Sequence, residues 1–174
     1  MSITLYHVSE ESGITMFEPR IPPSPDSGIT YPVVWAVEDA RLHNFLLPRD
    51  CPRVTFYPGP SSDERDVRAL MGPPGSSAKA VVAIESAWLS RVRETSLYLY
   101  RMPLDGFELT DATAGYWIKT QRVSPLDVMQ VRDCMQAIVE RDVELRIVPS
   151  LWPLRDAVVK SSLSFSCIRM RNAK

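Results

Sequence analysis

Residues 97–120 read LYLYRMPLDGFELTDATAGYWIKT, and this stretch decides the fold. Leu97–Met102, Phe107–Thr110 and Tyr116–Thr120 are rich in the β-branched, aromatic and large apolar residues that suit a pleated, half-buried surface. Turn residues separate them: Pro103, Asp105 and Gly106, then Asp111 through Gly115. The second and third segments therefore predict an antiparallel hairpin. Strands that follow one another without an intervening helix do not fit a regular βαβ alternation.

Working outward, Ile3–Val8 (ITLYHV), Val54–Tyr57, Lys79–Ile84, Val143–Val148 and Leu163–Ile168 have the same strand composition. Val33–Val37 (VVWAV) is apolar at successive positions, as in a strand covered on both faces. Helices are predicted over Glu38–Leu47, with acids at the positive end and Pro48 behind it, after Ser86, and over Leu151–Lys160. Ser124, Pro125 and Asp127 resemble a helix start. Leu126, Val128, Val131, Met135, Ile138 and Val139 then recur at helical spacing, predicting one long amphipathic helix. The expected architecture is α+β: one mostly antiparallel, strongly bent or split sheet with a few flanking helices, as a single domain over residues 1–174. Eleven of the 15 prolines lie in the first 75 residues and mark loops of restricted shape. Within that region, residues 59–78 combine Gly, Ser and charge and are expected to form a mobile loop.

Composition excludes several classes. Hydrophobic residues make up 45% and charged residues 24% of 174, the balance of an ordinary globular chain. No window approaches the ~18 apolar residues of a membrane span, and the N-terminus lacks a basic n-region. A cytoplasmic location without membrane association is the expectation. The net charge of -1 argues against binding nucleic acid mainly through charge, although the last twenty residues are basic. The three cysteines, Cys51, Cys134 and Cys167, form no CxxC pair. GxGxxG, GxxxxGK[ST], HExxH and GxSxG are absent, and no metal ligand set is assigned.

The candidate site residues fall in three groups. His7 ends the first strand; imidazole suits proton transfer near neutrality, and the structural alternative is a ring donating to a backbone carbonyl. Arg49 and Arg53 flank Asp50 and Cys51 in a proline-stiffened loop, where guanidinium groups suit a phosphate or carboxylate. The alternative is an internal Arg–Asp pair. Tyr116 and Trp117 must point to opposite faces of one strand, so one is available for stacking on a flat ring while the other packs inward.

LYHVSEESGITMFEPRIPPS, VVWAVEDARLHNFLLPRDCPRVTFY and VELRIVPSLWPLRDAVVKSSLSFSCIRMRNA together resemble a family of small bacterial proteins of unknown function. More distantly, the chain is similar to the ADP-ribosyltransferase and RNA 2′-phosphotransferase superfamily. That resemblance implies that LYHVS supplies His7 to a ribose of NAD, and that VVWAVEDARLHNFL is the second strand and helix. Trp35 or Ala36 would then stand where those enzymes have Tyr or Ser. The later strand, within GYWIKTQRVSP, holds no acid where the superfamily places a carboxylate. Glu108, or Asp111 from the neighbouring turn, would have to stabilise the developing oxocarbenium charge.

The expected function is binding of a nucleotide-like or phosphorylated small molecule. His7 and Glu108 would be catalytic, with Arg49, Arg53, Trp35, Tyr116 and Trp117 around the ligand. NAD is the candidate cofactor, and the candidate activity is ADP-ribosyl (glycosyl) transfer. The alternative is a non-catalytic interaction module that uses the basic C-terminal end.

Overall fold

The computed structural model describes residues 3–22, 28–73 and 78–174. Among them the chain divides into two compact units, each with its own sheet: residues 1–42 with 97–131, and residues 43–96 with 132–174. The protein is α+β, as its sequence predicts.

The first unit holds β1 (Leu5–Ser9), β2 (Val34–Glu38), β5 (Leu97–Met102), β6 (Glu108–Asp111), β7 (Tyr116–Lys119) and β8 (Asp127–Val131). They lie in the order β6-β7-β2-β1-β5-β8, and every pairing is antiparallel. Leu5, Val34, Ala36, Tyr100 and Met102 build an apolar cluster on one face. Phe17, Phe107 and Val123 cover it from outside the strands. The Phe17 backbone is tied to that of Val123 by hydrogen bonds of 2.9 and 3.0 Å.

The second unit holds β3 (Arg53–Tyr57), β4 (Ala80–Glu85), β9 (Val143–Val148) and β10 (Ser164–Ile168) in the order β10-β3-β4-β9. The β4–β9 pairing is parallel and the others are antiparallel. All six residues of β4 are buried, as expected for a central strand covered on both faces. Helices α1 (Glu64–Met71) and α4 (Trp152–Val159) supply Val67, Leu70, Met71, Leu154 and Val158 to a core with Val54, Phe56, Val81 and Ala83. Fully burying such a side chain contributes about 1.5–3 kcal/mol. The shorter helices are α2 (Leu89–Glu94) and α3 (Cys134–Val139).

Three local expectations change. The stretch read as one helix from Ser124 to Val139 divides into strand β8 and helix α3. Helical spacing alone ignores the hydrogen-bonding edge offered by β5, which β8 occupies from Asp127 to Val131. Opposite Asp127 stands Arg101, and the two form an ion pair with Nε 2.8 Å from the carboxylate. The helix cap is Asp133, whose carboxylate accepts the Gln136 N–H at 2.9 Å.

The second change lies in residues 59–78, which contain α1 where only loop was expected. Asp63 caps the helix through the Arg65 N–H at 2.7 Å. Asp66 accepts both the N–H and the hydroxyl of Ser162 at 2.8 Å, which holds its carboxyl below the usual range. Residues 74–77 of the expected mobile loop lie outside the described residues. Between Glu38 and Leu47, the predicted helix is a tighter 3-10 helix over Asp39–Phe45.

Candidate functional site

In the first unit, β1 pairs with both β2 and β5, so His7 stands in the middle of the sheet, opposite Tyr100. Alternation puts it on the same face as Leu5. Its Nδ1 is 2.8 Å from the carbonyl oxygen of Trp35. A carbonyl only accepts, so Nδ1 carries a proton, and in the neutral ring Nε2 is the acceptor nitrogen. The Phe17 ring packs against the imidazole with centroids 4.5 Å apart and meets Tyr100 edge-on at 5.2 Å. The Tyr100 hydroxyl donates to the Glu11 carbonyl at 2.8 Å and accepts from the Ile14 N–H at 3.1 Å, pinning the segment that leads to Phe17. His7 is thus half-buried, with its orientation fixed by a backbone carbonyl and an aromatic lid.

Register decides which predicted residues share this face. Glu38 is opposite Leu5, and Trp117 is opposite Ala36, two residues before Glu38. Both side chains therefore stand on the His7 face. The Trp117 Nε1–H donates to Glu38 Oε1 at 2.8 Å. His7 and Glu38 are diagonal neighbours on adjacent strands, a relation that separates Cα atoms by about 7–8 Å.

Trp35 and Tyr116 pack edge to face, 5.6 Å between centroids, on the opposite face. Trp35 offers His7 its main-chain carbonyl. Glu108 lies on strand β6, exposed, opposite Ile118; that register also assigns it to the Trp35 face. The geometry accordingly groups Glu38, and not Glu108, with His7. Asp111 is used locally: its carboxylate accepts the Thr113 and Ala114 N–H groups, both at 2.9 Å, shaping the turn before β7.

Glu38 carries a signal in the sequence, as an acid closing the alternating run VVWAVE. Sequence reading assigned it to the following helix as an N-terminal charge. The strand extends one residue further than expected, and that single position changes the role of the carboxylate.

The arginines belong to the second unit. Arg53 is 3% exposed. It donates from Nε to the Asn44 carbonyl at 3.0 Å, and from one terminal nitrogen to the carbonyls of Pro48 at 3.1 Å and Cys51 at 2.7 Å. Its planar fork organises residues 44–51 from inside. Arg49, by contrast, is exposed on the loop that Arg53 shapes.

Cys51 is buried, and burial pushes its thiol up to about 12. A thiol so placed holds its proton at neutral pH. Glu85 is fully buried; its carboxylate accepts the N–H groups of Leu151 and Lys174 at 3.1 Å. The basic C-terminal end is docked on its own unit. Asn172 donates its side-chain N–H to the Asp50 carbonyl at 2.7 Å, and Arg169 stands 3.9 Å from the Asp50 carboxylate. Among the described residues, no group of three or more His, Cys, Asp or Glu is placed to hold a metal ion. None of their helices is long and apolar enough to cross a membrane.

Fold and site together define an α+β protein in which an imidazole, a carboxylate and an indole share one face of an antiparallel sheet. The chain belongs to the DUF6886 family of unknown function, which it matches over residues 6–173. No curated protein and no solved structure matches it.

Proposed function

We propose that the His7 face of the first unit binds a nucleotide-like ligand through a ribose hydroxyl. One observation carries this reading: the Trp35 carbonyl accepts from Nδ1–H and orients the imidazole on the face shared with Glu38 and Trp117. A neutral ring so oriented is suited to a sugar hydroxyl as hydrogen-bond donor. Trp117 offers apolar ring surface, and its polar edge is already satisfied by Glu38. In an enzymatic version, Glu38 supplies negative charge beside a developing ribosyl cation, and the reaction is glycosyl transfer from NAD.

Titration calorimetry with NAD, ADP-ribose and mononucleotides tests the reading. Saturable heat with the wild type, lost in His7→Ala and reduced in Glu38→Gln, is the expected result. No saturation with any of these ligands at millimolar concentration would refute it.

A further inference from the structure

Three ionisable groups inside the second unit have no part in the proposed function: Cys51, Arg53 and Glu85. Burial dominates the raised thiol of Cys51; the Glu85 carboxylate raises it further and the Arg53 guanidinium opposes the rise, as neighbouring charges do. Glu85 and Cys51 are each 0% exposed.

Both ends of this group are closed by one short segment. Arg169 adopts a left-handed backbone, φ 55° and ψ 30°, and redirects the chain out of β10 into a 3-10 turn over Met170–Asn172. Met170 packs against the apolar core of the unit. Asn172 and Arg169 hold Asp50, the residue before Cys51. Two residues on, the Lys174 N–H binds the Glu85 carboxylate, and its carbonyl accepts the Ser150 hydroxyl at 3.0 Å. A left-handed backbone is unfavourable at a residue other than glycine, so strain is stored at the point where the segment hinges. The tethers beyond the hinge are a few hydrogen bonds, whereas the β3–β4 ladder beneath is fully covered.

We propose that Arg169–Lys174 is a strap that opens as a unit, before the sheet unfolds, and so controls access of solvent and electrophiles to the Cys51 thiol and the Glu85 carboxylate. Segments held by few buried contacts open at lower free energy than the core strands they lie on. Closed, the strap seals the thiol. Open, it frees Asp50 and removes an amide partner from Glu85 in one motion.

The test uses the full chain and iodoacetamide, with labelling at each cysteine read by peptide mass spectrometry. Asn172→Ala removes one tether. It is expected to raise Cys51 alkylation about fivefold, the shift in an opening equilibrium caused by one lost hydrogen bond, with Cys134 unchanged. An unchanged Cys51 rate, or an equal rise at Cys134, would overturn the proposal. Native-state hydrogen exchange of the unaltered chain gives an independent readout that requires no variant to fold. There the Lys174 amide is expected to exchange well before the β3–β4 amides, with Cys51 alkylation following Lys174. Exchange of Lys174 only together with the ladder would overturn the proposal equally.

Discussion

Replacing Arg53 by methionine keeps much of the aliphatic stem and removes every donor. The bonds lost include those to the carbonyls of Asn44, Pro48 and Cys51, at 3.0, 3.1 and 2.7 Å. All three acceptors belong to buried residues. Each acceptor left without a partner costs about 1–3 kcal/mol. The desolvation penalty of the guanidinium disappears at the same time and offsets part of that sum. The expected net loss is about 3–5 kcal/mol, a large share of the roughly 5–15 kcal/mol that holds a typical domain folded. Urea unfolding followed by tryptophan fluorescence should show a lower midpoint with an unchanged slope. Arg53→Lys should fall between, since an ammonium keeps charge but not the planar fork. A loss below about 1 kcal/mol in Arg53→Met, with ligand affinity abolished instead, would refute the structural assignment and restore Arg53 as a binding residue.

Gly115 has φ +68°, and an added Cβ would stand 2.8 Å from Cγ of Arg41, so Gly115→Ala should destabilise the first unit by about 1–2 kcal/mol in the same assay. Asp133→Ala should cost about 1 kcal/mol as a lost cap, while Ser124→Ala should stay within about 0.5 kcal/mol; the reverse order would restore the long helix that spacing predicts. Cys51 has its folded pKa raised from 9.0 to about 12, so above pH 9 the unfolded chain binds fewer protons and stability falls as pH rises toward 12. Each unit of separation corresponds to about 1.4 kcal/mol, and the alkaline decline should be shallower in Cys51→Ala. Asp66 shows the opposite sign. Its lowered carboxyl gives stability present above the ordinary carboxylate range and lost as pH falls through the folded value, and Asp66→Asn should flatten that part of the acid limb.

The strands were legible in the sequence where composition is one-sided. LYLYRM, VELRIV and KAVVAI form strands because β-branched and aromatic side chains suit a pleated surface wherever it lies. The hairpin around residues 111–115 was legible for a local reason too: an aspartate and a glycine satisfy a tight turn without help from elsewhere. The α+β class followed from the succession of such segments.

Tertiary structure decided what depends on a partner distant in the chain. Residues 127–131 have helical spacing and become a strand because β5 presents an edge to be paired. Residues 64–71 gain a helix because Ser162 binds Asp66 and the apolar side of that helix meets the core. The division into two sheets is likewise invisible in any one strand. So is the candidate site. Alternation guarantees that Tyr116 and Trp117 oppose each other, but only register assigns Trp117 to the His7 face and Glu108 to the other. Arg53 is an arginine in a loop until the fold turns its five donors inward. Side-chain type and spacing are local properties, whereas burial, facing and hydrogen-bond partners are set by contacts between residues far apart in the chain.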